Sequence, residues 1–273
     1  MEKERVFAAT TLERCRIADL ICQLDDAQLA TPSLCTGWDV KTVAAHLLSN
    51  LSESVPGVVW LAARRRSGAR AIDELARRRA HLPAADIAAG LHRLADRRYW
   101  RPPPRGHIGP LADVLVHSGD MRIPLGLSFD PDPQLAVAAL DFLTGLSAFD
   151  MVTPGNLRGI SLRATDVGRV WGKGAEVRGP VAALMMAAAG RGALVDALEG
   201  PGLATLRQRL SGGREQLAPR EHAPLPVPKR VVLACKDSHV GAIANRWTVA
   251  VRLSVANPHH PPAPRRPLNV TTA

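Results

Sequence analysis

The chain has 273 residues, of which 46% are hydrophobic, so it can build one or two domains with a real core. No apolar run reaches the roughly 18 residues that a membrane-spanning helix needs. The charged N-terminus also lacks the apolar segment of a signal peptide, so a cytoplasmic location is expected. Four cysteines without a C-x-x-C pair argue against a sulfur-only zinc site and against a disulfide framework.

The net charge of +10 raises the hypothesis of a nucleic-acid-binding protein. Residues 211–273, however, hold nine Lys and Arg against three Asp and Glu, so this segment carries most of the excess. It also contains nine of the 22 prolines and offers only Trp247 as an aromatic for base stacking. We therefore predict a Pro-rich, basic and largely disordered tail at 211–273, and nucleic acid is not the expected partner.

Apolar residues at helical spacing predict five helices before residue 152. Asp39 has the position of an N-cap for the second, long helix, which Pro56 kinks or ends. Pro110 suits the first turn of the fourth helix. The predicted helices cover residues 5–24, 40–66, 84–100, 110–122 and 133–150. Modest loops between them indicate an antiparallel helical bundle at 1–152.

The pattern changes after Pro154-Gly155. Residues 159–164 alternate like a strand, and residues 167–171 form its predicted hairpin partner. A helix from Gly179-Pro180 to Ala189 follows, and residues 193–210 contain a short helix, a turn and a last helix. We therefore predict a small α+β domain at 153–210, so that the fold class is mainly α with this appendage.

A line of polar residues lies on the apolar fourth helix. Asp113, His117 and Asp120 follow one another at i, i+4 and i+7, which places them on one helix face. Buried groups of this kind must be paired, hydrogen-bonded or bound to a metal. His46, beside the apolar stripe of the second helix, supplies a third ligand for a divalent ion, and such a set of nitrogen and oxygen ligands suits zinc and other first-row metals. Three protein ligands leave one position open, as in catalytic zinc sites, and Asp120 could hold an imidazole behind the ion.

Simpler interpretations compete with this metal site. An acid and a histidine at i, i+4 more often form a surface pair, and a single histidine such as His46 is more often a satisfied residue of the core or helix flank. Spacing alone therefore does not establish the site. Cys35 lies near the histidine motif, and we interpret it as structural.

Three segments together resemble a known family. The stretch 31-TPSLCTGWDVKTVAAHLLSN-50 resembles the first histidine motif of the mycothiol-dependent maleylpyruvate isomerase-like family, within the DinB-like superfamily. The stretch 111-LADVLVHSGDMRIPLG-126 is similar to the second motif of that family, an acid, three residues and a histidine. Residues 159–191 are similar to its small C-terminal domain, so the resemblance covers about residues 5–210.

The resemblance implies a DinB-like four-helix bundle in which a divalent ion, zinc by expectation, is held by His46, Asp113 and His117. The best-known member of the family has Glu where this chain has Asp113. Arg191 resembles an arginine that faces the active site and binds a substrate carboxylate, which makes it the candidate catalytic residue.

The activity that the resemblance implies uses mycothiol or a similar low-molecular-weight thiol as cosubstrate. The thiolate would act on a small electrophilic substrate, by isomerisation or by S-transfer. Two alternatives stay open. The first is a non-catalytic DinB-like metal-binding protein with a regulatory or stress role. The second is a binding protein whose basic tail engages nucleic acid.

Overall fold

The computed structural model describes residues 2–98, 106–145 and 157–217. Within these ranges the chain forms ten α-helices and three β-strands. The helices are α1 (Lys3–Gln23), α2 (Asp26–Leu29), α3 (Val40–Ser52), α4 (Val55–Arg65), α5 (Gly68–Ala80), α6 (Ala84–Arg93), α7 (Ile108–Arg122), α8 (Pro133–Thr144), α9 (Val181–Ala188) and α10 (Leu203–Leu217). The strands are β1 (Ile160–Ala164), β2 (Val170–Gly172) and β3 (Ala175–Gly179).

Four helices, α1, α3, α6 and α7, pack around one hydrophobic core and form the bundle that the sequence predicts. The core residues at its centre include Ile17 and Ile21 of α1, Val43 of α3, Leu91 of α6 and Met121 of α7, each at most 1% exposed. Asp39 caps α3 as expected, since its side chain accepts a hydrogen bond from the Thr42 amide. Helices α3 and α7, which carry the candidate ligands, are therefore held in place by packing against this core.

Helix α7 also contributes to a second core. Its face with Leu111, Ala112 and Leu115 packs on α8 and α9, which in turn pack on the sheet. The sheet has the order β2-β1-β3, with β1 antiparallel to β2 and parallel to β3. Because α7 is shared between both cores, side chains on α7 lie between the bundle and the small α+β part. The predicted mainly α fold class with a small α+β part is thereby confirmed.

Several helix boundaries in the structure differ from the predicted ones. The predicted helix 40–66 is two helices, because α3 ends at Ser52 and Ser54 caps α4 with Pro56 in its first turn. Helix α5 and strand β3 were not predicted, and the predicted helix 84–100 ends at Arg93. Helix α10 runs on to Leu217, past the predicted start of the tail at 211.

The predicted domain boundary near residue 152 lies outside the described residues, as do positions 218–273 of the predicted tail. Both stay predictions. Among the described residues, no helix combines the length and the apolarity needed to cross a bilayer.

The turn between β2 and β3 requires glycine at position 174. Gly174 has φ +133°, and a Cβ there would lie 2.1 Å from the carbonyl oxygen of Gly159. We expect Gly174→Ala to lower the free energy of unfolding by about 1–3 kcal/mol, since backbone must move to admit the methyl group. Urea unfolding followed by circular dichroism measures the change. The neighbouring Lys173→Ala, at an exposed position, serves as the control, and equal stability of the two variants would contradict the prediction.

Candidate metal centre

Three predicted ligands meet between α3 and α7. The Nε2 atom of His117 lies 3.5 Å from Oδ1 of Asp113, and Nε2 of His46 lies 3.9 Å from the same oxygen. The two imidazole rings are 4.9 Å apart between centroids and nearly perpendicular. His46 is 5% exposed and His117 is 8% exposed. The structure thus brings together the three side chains that the sequence singled out, with one donor atom of each within 4.8 Å of the others.

This donor set fits a first-row divalent cation. Two ligands that bind a tetrahedral zinc ion at ~2.0–2.1 Å lie about 3.3 Å from each other. The distances from Asp113 Oδ1 to the two imidazole nitrogens are 3.5 and 3.9 Å, so small side-chain shifts suffice to reach that spacing. Two imidazole nitrogens and one carboxylate oxygen are ligands that zinc accepts.

The electrostatics of the site favour positive charge among these donors. Burial raises the pKa of Asp113, but hydrogen bonds with His117 and His46 outweigh burial and hold it well below its ordinary value. Burial lowers the pKa of His117, yet the sulfur of Cys35 and the adjacent carboxylates outweigh this effect and raise that pKa well above its ordinary value. The same field that favours a proton on His117 favours a cation in its place.

Asp120 lies behind His117, on the far side from Asp113. It is fully buried, and its Oδ2 is 2.9 Å from Nδ1 of His117. Burial raises the pKa of Asp120, but the charge of Arg191 and the hydrogen bond from His117 lower it far below its ordinary value. The ionised carboxylate can only accept, so Nδ1 of His117 carries the hydrogen and Nε2 is left to face Asp113. The sequence predicts this contact, in which Asp120 holds the imidazole of a metal ligand from behind.

Arg191 reaches this site from the loop after α9. Its Nε donates to Oδ1 of Asp120 at 3.0 Å, and its Nη2 donates to Oδ2 at 2.9 Å. A third nitrogen, Nη1, donates to the Ala189 carbonyl. The planar fork of the guanidinium is thus engaged by a carboxylate of the protein itself. The contact of Arg191 with a substrate carboxylate stays a prediction.

Cys35 belongs to the same cluster, although the sequence interpretation made it structural. Its Sγ lies 3.0 Å from Oδ2 of Asp120, 3.3 Å from Nη2 of Arg191 and 3.6 Å from Nδ1 of His117. The loop that carries it is tied to α7 by a hydrogen bond from the Leu34 amide to the Asp120 carbonyl. Its position within the first histidine motif was the signal that could have placed it at the site.

The same loop places Trp38 beside the metal ligands. The indole ring lies 5.1 Å from the ring of His46 between centroids, and its N–H donates to Asp73 at 2.8 Å. Asp73 is on α5, the helix that the sequence analysis missed. Helix α5 therefore helps to position one wall of the site.

Comparisons with solved structures agree with the fold described above. Two crystal structures of the mycothiol-dependent maleylpyruvate isomerase, one of them of a His-to-Ala mutant, align with the chain at 15% identity. Each alignment covers 74% of this chain and 93% of the other, with a TM-score of 0.50 for the mutant and 0.49 for the second structure. At this identity the first alignment shows a shared fold. A comparison with curated protein sequences gives no significant match.

The sequence also matches a described protein family. Residues 11–120, which include all three candidate metal ligands, match the family profile of the mycothiol maleylpyruvate isomerase N-terminal domain. The matched segment begins in α1 and ends at Asp120 of α7, so it spans the helical bundle. The family predicted from the sequence motifs is thereby confirmed for this segment, which matches the mycothiol maleylpyruvate isomerase N-terminal domain.

Proposed function

We propose that the protein is a metal-dependent enzyme of the maleylpyruvate isomerase type that uses mycothiol or a similar low-molecular-weight thiol. In this proposal His46, Asp113 and His117 hold a divalent ion, with zinc the first candidate. The thiolate acts on a small electrophile, by isomerisation of an activated double bond or by S-transfer. The observation that carries the proposal is the convergence of these three donors at one buried point.

A zinc ion at this point would lower the pKa of a thiol at its open position, so that the nucleophilic thiolate is present near neutral pH. The chain's own residues prepare the site for it. Asp120 fixes the tautomer and the ring orientation of His117. Arg191 neutralises Asp120, so that the net charge of the centre does not become strongly negative when Asp113 is ionised.

Arg191 has two roles in the proposal. The structure-based role is to position Asp120 and, through it, His117. The role implied by the family resemblance is to bind a substrate carboxylate, for which a planar guanidinium is well suited. A bound substrate carboxylate would then compete with Asp120 for some of the N–H donors of the Arg191 guanidinium.

Metal analysis followed by thiol titration tests the proposal. We expect about one zinc ion per chain to be retained after dialysis. With cobalt in place of zinc, added mycothiol is expected to give a sulfur-to-cobalt charge-transfer band in the near ultraviolet. Metal-loaded protein is then expected to isomerise maleylpyruvate in the presence of mycothiol, and the chelator-treated protein to do so only after metal is restored.

The outcomes separate the proposal from its alternative. Metal binding without a thiol-dependent band and without turnover would favour the non-catalytic metal-binding protein. Protein that retains no divalent metal at all would contradict both interpretations.

A further inference from the structure

Asn50 is a polar residue of the site to which neither the sequence motifs nor the proposed metal ligands give a role. It follows His46 by one turn of α3, so both side chains point to α7. Its amide nitrogen Nδ2 lies 3.1 Å from Oδ2 of Asp113 and 3.1 Å from Nε2 of His46. Asn50 is therefore in direct contact with two of the three candidate ligands.

The two oxygens of Asp113 have different partners. Oδ1 faces the imidazole nitrogens of His46 and His117, at 3.9 and 3.5 Å. Oδ2 accepts the hydrogen bond from Asn50. Because an ionised carboxylate only accepts hydrogen bonds, the group of Asn50 that faces it must be the NH₂ and not the carbonyl oxygen. Asn50 thus fixes which oxygen of Asp113 is presented to the two histidines.

We propose that Asn50 is a positioning residue of the metal centre: it holds one oxygen of Asp113 so that the other is presented to the cation. Asn50 also lines a small cavity together with Asp113, Arg14 and Pro110, so it lies where the site opens between α1, α3 and α7. A cation at Nε2 of His46 would replace the contact of Asn50 with that nitrogen and leave its hydrogen bond to Asp113 in place. The inference rests on the proposed metal site.

The role follows from the freedom of a carboxylate to rotate. An unrestrained Asp113 carboxylate can turn and bind a cation through both of its oxygens instead of Oδ1 alone. A hydrogen bond to one oxygen opposes this rotation, as outer partners of metal ligands generally do. Asn50 then keeps one coordination position open for an exogenous thiol.

Asn50→Leu tests the inference, because leucine keeps the branched four-atom skeleton of the asparagine side chain but has no hydrogen-bond donor. Zinc affinity is measured by competition with a chromogenic chelator, and the visible spectrum of the cobalt-substituted protein reports the coordination. We expect a zinc affinity about 10- to 100-fold lower than that of the unmodified protein. We also expect changed positions and intensities of the cobalt bands, which a role in packing alone would not produce.

Ser52→Ala is the matched control on the same helix, since the Ser52 hydroxyl donates to the Leu48 carbonyl of its own helix and, among the described residues, contacts none of the candidate ligands. Asn50→Ala replaces the leucine variant if the latter does not fold. Zinc affinity within twofold of the control, with an unchanged cobalt spectrum, would overturn the role of Asn50 and leave the metal site intact. Absence of metal from the unmodified protein would instead overturn the metal site and this inference with it.

Discussion

Replacement of His46 by alanine is expected to abolish tight zinc binding. His46 is the only one of the three candidate ligands on α3, so its loss leaves two donors, both on α7. Loss of an outer partner of a metal ligand costs roughly 10- to 100-fold in affinity, and loss of a ligand itself should cost far more. Zinc content after dialysis and chelator competition measure the effect.

A matched histidine is available as the control for this substitution. His92 also contacts an aspartate, Asp19, with 2.9 Å between Nε2 and Oδ1, but this pair lies on the surface between α6 and α1. His92→Ala is expected to retain the zinc content of the unmodified protein. If both variants retain zinc equally, the ion is bound elsewhere and the site between α3 and α7 is refuted.

The same substitution should remove the effect of zinc on stability. A ligand that binds only the folded protein stabilises it by about 2.7 kcal/mol at a concentration one hundred times its dissociation constant. Thermal unfolding of the unmodified protein should therefore shift upward on addition of zinc, and that of His46→Ala should not. A zinc-dependent shift of equal size in both proteins would contradict the assignment.

The site residues that the sequence predicts on α7 stand out because their local pattern is unusual. Asp113, His117 and Asp120 are polar positions on a helix that is otherwise apolar, and such a line demands partners. No local sequence signal predicts that α3 packs beside α7, because this contact depends on the packing of the whole bundle. Only the order of the three family-like segments linked His46 to the residues of α7.

The parts that were missed depend on contacts between distant segments. Helix α5 buries Ala71, Leu75 and Ala76, which follow helical spacing but include only one large apolar side chain, and the helix as a whole is polar. Strand β3 pairs directly and in parallel with β1, although β2 lies between them in the sequence, and only Val177 among its large side chains is buried. Neither element buries enough large apolar side chains to stand out in the sequence.

The contacts of Cys35 and Asn50 were not predicted, for a different reason. Cys35 has an ordinary structural interpretation as a loop cysteine, and no sequence motif assigns a role to Asn50. Their roles appear only where Cys35 meets Asp120, and Asn50 meets Asp113, in three dimensions. A sequence pattern gives the metal ligands more readily than it gives the residues that orient them.

Asp120→Ala is expected to destabilise the folded protein by about 3–5 kcal/mol. The substitution removes the carboxylate that pairs with Arg191 at 2.9 and 3.0 Å, and it leaves a largely buried guanidinium without its counter-ion. It also removes the acceptor that fixes Nδ1 of His117, so zinc affinity should fall by roughly 10- to 100-fold. Urea unfolding measures the first effect, and chelator competition measures the second.

An exposed pair of the same type provides the control. Asp196 contacts Arg207 at 2.6 Å, but its side chain is 90% exposed, so Asp196→Ala should change neither stability nor zinc affinity noticeably. The double variant Asp120→Ala with Arg191→Met should recover part of the lost stability, because it removes the uncompensated charge, but it should not recover zinc affinity. Recovery of both would mean that Asp120 acts only as the counter-ion of Arg191. Recovery of stability alone would separate its two roles, since the orientation of His117 depends on the carboxylate and not on the arginine.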